Sequence, residues 1–345
     1  MHPITLVVNA AERLPLPDAI TNLGIDFLVG RTKRAIDAAP NPRADAEFVQ
    51  AMTDYPIAEH TDAANEQHYE LPPRFFELTL GPRRKYSSCL YPNGIETLAE
   101  AEVIALRETV RHAELADGQT ILELGCGWGS LTLFMAERYP NAAITAVSNS
   151  APQRLHIESE AKRRGFANVT IITADMNDFQ ADGLFDRVVS VEMFEHMANW
   201  QTLLTKVRGW IKPEGKLFLH VFSHKSQPYR FDHRDKTDWI AQYFFTGGIM
   251  PSHAMIGQFS DLFTLEHDWF WNGENYAHTA RDWLANYDCN QAEILPILRQ
   301  VYGKDASVWN RRWRLFYLAT AGLFGHEGGS EWGVSHYRLS PTTSI

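Results

Sequence analysis

Hydrophobic positions along the chain follow two rhythms. Near the N-terminus Ile20, Leu23, Ile25, Phe27, Leu28 and Val29 form an apolar face followed by the basic stretch Arg31 to Arg34. Ala38-Ala39-Pro40-Asn41-Pro42 breaks the pattern, and Phe48, Val49, Met52, Tyr55 and Ile57 give a second apolar face. Residues 1–60 therefore read as amphipathic helices, a helical cap or a dimer contact. Thr97 to about Glu114 predicts a longer helix, with Ala101, Val103, Ile104, Leu106 and Val110 turned inward.

From Thr120 the rhythm changes. Short apolar runs at Thr120 to Leu124, Ala143 to Val147, Val169 to Thr173, Phe185 to Val191 and Lys216 to Phe222 predict strands. Helical stretches lie between them: Leu131 to Ala136, Pro152 to Arg164 and Trp200 to Trp210. Asp117-Gly118 and Pro213-Glu214-Gly215 mark turns. Strands alternating with helices imply a parallel sheet, right-handed crossovers and a ligand crevice at the carboxyl ends of the strands. Those ends are the Gly125 turn, Ser148-Asn149, Asp175-Met176, Glu192 to His196 and Ser223-His224. Residues 225–285 read as a long insertion, with a sixth strand at Phe263 to Phe270. Two helices, roughly 279–302 and 305–324, and a last strand near Gly333 to Leu339 complete the chain.

The turn after the first strand carries the first chemical signal. Leu124-Gly125-Cys126-Gly127-Trp128-Gly129 supplies glycines where the chain must turn sharply and a ligand must approach bare backbone. The N–H groups at the start of the following helix then face an anionic ligand group. The spacing is G-x-G-x-G rather than the G-x-G-x-x-G of dinucleotide sites, and it fits a nucleoside joined to an amino acid, as in S-adenosylmethionine. Residues 65–92 mix polar and aromatic side chains without a clean period. Pro72-Pro73 blocks a continuous helix there, and such loops often line sites.

Composition narrows the classes. The 345 residues are 45% hydrophobic and 21% charged, an ordinary globular balance. A formal net charge of −10, with no dominant basic block, argues against nucleic acid and against tight binding to an anionic membrane surface. No apolar run reaches the roughly 18 residues of a spanning helix. Met1 to Val8 carries no basic region of the kind that opens a signal peptide. Cys89, Cys126 and Cys289 lack metal-ligand spacing, and a reduced, cytoplasmic setting is expected.

Several segments then agree in order: Asn65-Glu66-Gln67-His68-Tyr69, Tyr86-Ser87-Ser88-Cys89, the glycine turn, Glu192-Met193-Phe194-Glu195-His196-Met197 and Tyr243-Phe244-Phe245-Thr246-Gly247-Gly248. With them the chain resembles the cyclopropane-fatty-acid-synthase superfamily of class I methyltransferases, and within it the coclaurine N-methyltransferase branch. Asn272 to Thr279 and Glu331-Trp332 fit the same branch. The resemblance covers about residues 65–340. It implies an α/β fold, a Rossmann-like seven-stranded sheet with an N-terminal helical lid (1–95), a cofactor-binding core (96–224) and an inserted helical substrate cap with the end of the sheet (225–345).

The cofactor implied is S-adenosylmethionine. By resemblance, Tyr86 and Ser87 hold its methionyl part, Gly125 and Gly127 form the turn beneath it, Ser148, Asn149 and Gln153 grip the ribose, and Asp175 and Met176 stand at the adenine. The lipid enzymes hold a bicarbonate as base against a Cys, a Glu, a His and a Tyr. In this chain Glu195 and His220 are retained, but the Cys position falls on Ser88 beside Cys89, and the Tyr position on Phe316 beside Tyr317. That cage reads as incomplete, whereas Glu192-x-x-Glu195-His196 matches the amine-methylating branch.

An amine must be neutral to attack a sulfonium methyl, and a carboxylate or imidazole in the cleft both attracts the ammonium and accepts its proton. If the loop after the fourth strand begins a helix, Glu192 shares a face with Glu195 and with His196. Glu192 and His196 are the expected amine-facing pair, with Glu195 as orienter or second base. Plainer roles are a helix N-terminal acid for Glu195 and a scaffold histidine for His196. A metal site is not expected from this spacing. Tyr69, His220, Tyr243, Phe244, Tyr276 and Trp332 are the candidate contacts of a small, aromatic or cyclic amine. The alternatives are methylation of an unsaturated lipid and a non-catalytic cofactor-binding protein. A homodimer is compatible with the N-terminal apolar faces.

Overall fold

The computed structural model describes residues 12, 14, 16–59, 71–232, 234–235 and 238–342. Its strands are β1 Thr120–Leu124, β2 Ala143–Ser148, β3 Val169–Thr173, β4 Phe185–Val191, β5 Ile211–His224, β6 Tyr229–Arg230, β7 Ile249–Met250, β8 Phe263–Asn272 and β9 Trp332–Pro341. A seven-stranded sheet runs β3-β2-β1-β4-β5-β9-β8, with β6 and β7 as a separate pair. The first five are parallel, and β9 runs antiparallel between β5 and β8. Ile121 to Leu124 of β1 are all buried, as a central parallel strand covered on both faces requires.

One strand differs from expectation. β5 begins at Ile211, not Lys216, because Ile211 already pairs with Phe185 before Lys216 pairs with Arg187. Pro213-Glu214-Gly215 is therefore a bulge inside the strand. A Cβ at Gly215 would stand 2.8 Å from the Phe185 carbonyl oxygen.

The helices are α1 Asp18–Ala38, α2 Ala44–Met52, α3 Pro73–Thr79, α4 Leu98–His112, α5 Ser130–Arg138, α6 Ala151–Arg164, α7 Trp200–Trp210, α8 Trp239–Tyr243, α9 Glu274–Cys289, α10 Gln291–Tyr302 and α11 Ala306–Phe324. Pro73 at the first position starts α3 rather than merely blocking a helix. α4 opens with a capping box between Thr97 and Glu100. Val103 and Ile104, expected inward on α4, are only half-buried, while the acid Glu102 is fully buried. The helix expected over 279–302 begins at Glu274 and divides at Asn290, whose Nδ2 donates to the Leu78 carbonyl (2.8 Å) and ties the break to α3.

Helices α9, α10 and α11 come from between β8 and β9 and build the cap. Their apolar faces form one core with Phe75, Phe76, Trp128 and Phe244. The N-terminal region packs on the outside of this body. Asp18 of α1 pairs with Arg314, and Ile25 lies against Gly322. Asp45 of α2 accepts from the Ser252 hydroxyl at 2.6 Å. Val29 is buried, but Ile20, Leu23 and Phe27, part of the same expected face, are 53%, 70% and 58% exposed. Among the described residues no helix is long and apolar enough to cross a membrane.

Candidate active site

A cleft opens at the carboxyl ends of the parallel strands. All nine residues expected at the cofactor line it: Tyr86, Ser87, Gly125, Gly127, Ser148, Asn149, Gln153, Asp175 and Met176. Glu192 and His196 line the same space. The glycine turn is built as its sequence demands. Gly125 has φ +80°, and a Cβ there would lie 2.5 Å from that of Met193. Gly127 has φ +51° with nothing within 4 Å of a would-be Cβ, so it leaves open space.

The donor set fits the expected cofactor. Ser130 Oγ, Gln153 Nε2 and Trp128 Nε1 all belong to cleft-lining residues and are buried without a hydrogen-bond partner among the described residues. Buried polar atoms of this kind call for a ligand or water. Gln153 is held in place by Ser148, whose hydroxyl donates to its Oε1 at 2.6 Å. Residues Ser130, Gln153 and Tyr86 would hold polar parts of S-adenosylmethionine, with Met176 offering an apolar surface.

Glu192 is the centre of the second half. It follows β4 directly and takes φ +49°, rare for a residue with a side chain. Its N–H donates to the His220 carbonyl at 2.8 Å. Its Oε1 accepts from the Ser88 N–H (2.9 Å) and lies 3.1 Å from His220 Nε2, while Oε2 accepts from the Tyr276 hydroxyl at 2.6 Å. Burial pushes the Glu192 carboxyl up. The Lys85 ammonium, the Tyr276 and Ser88 hydrogen bonds and His196 pull it back toward ionisation.

The expected shared helical face is not what brings these groups together. Only Phe194–His196 is helical, as a single 3-10 turn, and the positive φ of Glu192 sets it apart. Glu195 is fully buried, does not line the cleft, and accepts from the Phe222 N–H at 2.5 Å. Burial first, then the neighbouring Glu192, raises its carboxyl well above the usual range. His196 stacks on Phe245, with ring centroids 4.9 Å apart.

The other candidate contacts separate. Tyr69 lies outside the described residues. His220 and Tyr276 reach Glu192 itself. Tyr243 packs under Arg312 at 3.7 Å. Phe244 and Trp332 are fully buried. Phe244 is stacked on Phe316, and Trp332 donates to the Tyr229 hydroxyl at 3.0 Å, so neither faces the cleft. The hydroxyl at the acid comes from Tyr276. Phe316 has none to offer, and Tyr317 is buried among Trp283, Tyr287 and Trp313.

Sequence reasoning passed over Lys85. It lines the cleft fully buried, and its Nζ donates to Ser87 Oγ and the Ser88 carbonyl, both at 2.6 Å. Burial holds this ammonium below its usual pKa. The buried Glu102 accepts from the Arg83 and Lys85 N–H groups and fixes the loop. An acid on the inward face of a helix was the available signal.

Known proteins place this geometry. The family model described as mycolic acid cyclopropane synthetase matches residues 58–327. The (S)-coclaurine N-methyltransferase of Thalictrum flavum subsp. glaucum is 35% identical over 285 residues, 81% of this chain and 79% of that one. The crystal structure of a coclaurine N-methyltransferase bound to N-methylheliamine and S-adenosylhomocysteine superposes with a TM-score of 0.92 at 31% identity, covering 98% of this chain and all of the other. A cyclopropane synthase from Mycobacterium tuberculosis, 22% identical with a TM-score of 0.69 over 82% of this chain and 99% of its own, shares the fold. The chain belongs to the mycolic acid cyclopropane synthetase family of class I methyltransferases.

Proposed function

We propose that this protein transfers a methyl group from S-adenosylmethionine to the nitrogen of a small, aromatic or cyclic amine of the tetrahydroisoquinoline kind. The observation that carries the reading is Glu192, which accepts from the Ser88 N–H and the Tyr276 hydroxyl, lies within hydrogen-bond reach of His220 Nε2, and shares the cleft with all nine residues expected at the cofactor. Names of the relatives above agree with it.

S-adenosylmethionine supplies an electrophilic methyl on a sulfonium. The chain's part is to bring the amine nitrogen into line, about 3–3.5 Å from the carbon, and to remove its proton. Glu192 attracts the ammonium form and takes the proton, with His196 as its partner on the cleft wall. Glu195, buried and bound to the Phe222 N–H, orients the turn that carries both. Phe316 at the position of the lipid enzymes' tyrosine, stacked on Phe244, speaks against a bicarbonate cage. The reading extends to a cytoplasmic setting and a homodimer, the latter checked by light scattering.

The test is S-adenosylhomocysteine release against tetrahydroisoquinolines, phenethylamines, simple phenols and unsaturated phospholipid vesicles, with and without bicarbonate. Turnover on a cyclic or aryl amine, indifferent to bicarbonate, is expected. Turnover on vesicles alone, rising with bicarbonate, overturns the reading.

A further inference from the structure

We propose that His112 and His336 are positioning residues for Glu192, forming with His220 a chain of imidazoles whose N–H groups all point toward the carboxylate. The inference rests on the reading of Glu192 as the amine's base. The chain crosses the sheet from the end of α4, through β9, to β5. His112 Nδ1 lies 2.8 Å from His336 Nδ1, His336 Nε2 lies 2.8 Å from His220 Nδ1, and His220 Nε2 lies 3.1 Å from Glu192 Oε1. All three rings are fully or almost fully buried.

The direction follows from the outer end. Arg111 Nη2 lies 2.7 Å from His112 Nε2. A guanidinium only donates, so His112 Nε2 accepts and its proton is on Nδ1. That N–H makes His336 Nδ1 an acceptor and puts the His336 proton on Nε2. His220 Nδ1 then accepts in turn, and its Nε2–H donates to Glu192. Each neutral ring has one N–H and one lone pair, so a single choice at His112 fixes every tautomer. Burial keeps all three neutral: His112 falls to about 4, and His220 and His336 lie well below the usual histidine range.

The charged and titratable neighbours are consistent with this polarity. Glu108 Oε2, at 3.4 Å from His112 Nε2, would favour the opposite tautomer, but it is engaged by Arg111 Nη2 at 2.5 Å. Arg338 donates to the His112 carbonyl and disfavours an imidazolium there. Lys85 acts the same way on His220 and His336. Trp269 stacks on His112 with centroids 3.8 Å apart and fixes the ring. At the inner end Glu192 also faces Lys85, Tyr276, His196 and Glu195. With the tautomers reversed, the His220 lone pair would face a carboxylate lone pair and destabilise the base.

Two measurements test the proposal on the full chain bound to S-adenosylhomocysteine. In the first, ¹⁵N NMR of histidine-labelled protein at pH 7 reads the tautomers directly. The expected pattern is Nδ1–H on His112 and Nε2–H on His336 and His220, and the opposite tautomer or an imidazolium at any of them overturns the proposal. In the second, His336→Phe removes the middle of the chain. The Glu192 carboxyl, followed by ¹³C titration, should rise, because His220 is then free to turn or take the other tautomer and weaken its hydrogen bond to the acid, the whole of which is worth roughly one pH unit. The acid limb of the kcat/KM profile should move up equally, with S-adenosylhomocysteine affinity unchanged. An unmoved titration in a variant that binds S-adenosylhomocysteine overturns the proposal. If the variant does not fold, the tautomers of the unaltered protein decide. If no amine is methylated, the functional reading fails while the tautomers and titration still judge the chain.

Discussion

Glu192 gathers hydrogen-bond partners from three segments distant in sequence: Ser88, His220 and Tyr276. Replacing it by Gln keeps the shape but removes the proposed base. We expect turnover to fall by roughly 10²–10⁴-fold with the S-adenosylhomocysteine Kd nearly intact, as read by isothermal titration. Loss of cofactor binding instead would refute the assignment. Glu123 offers a second test. Burial raises its carboxyl from 4.5 to about 8 against the Thr132 hydrogen bond. A carboxyl raised in the folded state contributes stability that is present below its unfolded pKa and is lost as pH rises through 4.5 to 8. Glu123→Gln should therefore gain on the parent protein as pH rises from 5 to 9, by on the order of 3 kcal/mol in cofactor-free melts. At this scale the sequence was legible where cleft residues lie in one short segment, as Glu192 and His196 do. It was silent on His112 and His336, which are 224 positions apart, and on the pairing of β5 with β9 that sets His336 beside His220.

Elements followed their periodicity closely where one interaction dominates. β1, β3, β4 and α7 begin and end where their apolar runs do. They failed where a tertiary contact overrides local pattern: the bulge in β5, the break at Asn290 tied to Leu78, and the short turn that replaces a helix after Glu192. The glycine turn allows a comparison within one element. Gly127→Ala meets no neighbour, so its stability cost is limited to the left-handed backbone, about 1–2 kcal/mol, with the added methyl sitting in the cofactor space. Gly125→Ala carries the same backbone cost plus a collision with Met193. Cofactor-free melts should fall further for Gly125→Ala, while S-adenosylhomocysteine affinity falls for both. Equal melting temperatures would contradict this account of the turn.

At the scale of the molecule, cofactor cleft and N-terminal helix are separable. α1 touches the body through α11 and through the turn after it, where Lys33 faces Glu327 and Glu331, and it lines no part of the cleft. A Cβ at Gly322 would stand 2.4 Å from the Ile25 side chain. Gly322→Ala should therefore loosen α1, seen as faster hydrogen exchange over residues 18–38, and leave S-adenosylhomocysteine affinity unchanged. A parallel loss of affinity would show that the helix braces the cleft after all. The α/β core was legible because parallel strands alternate with helices. The cap was less so, since its helices pack on one another and on Phe75, Phe76 and Trp128 rather than following a repeating unit.

The place of β9 in the sheet also governs how the molecule can be made. Among the described residues β8 pairs only with β9, and β5 meets β9 on its outer side, so β8 and the outer edge of β5 wait for residues 332–341. Until the ribosome has released that stretch, Phe263 to Asn272 has no strand to join, and β5 keeps one open edge. The parallel half can close before residues 332–341 are made, but the finished sheet cannot, and the interval favours aggregation. Such a nascent chain should lean on chaperones late rather than early, and pulse-labelled protection of β8 should appear together with that of β9, after the first five strands are already quiet.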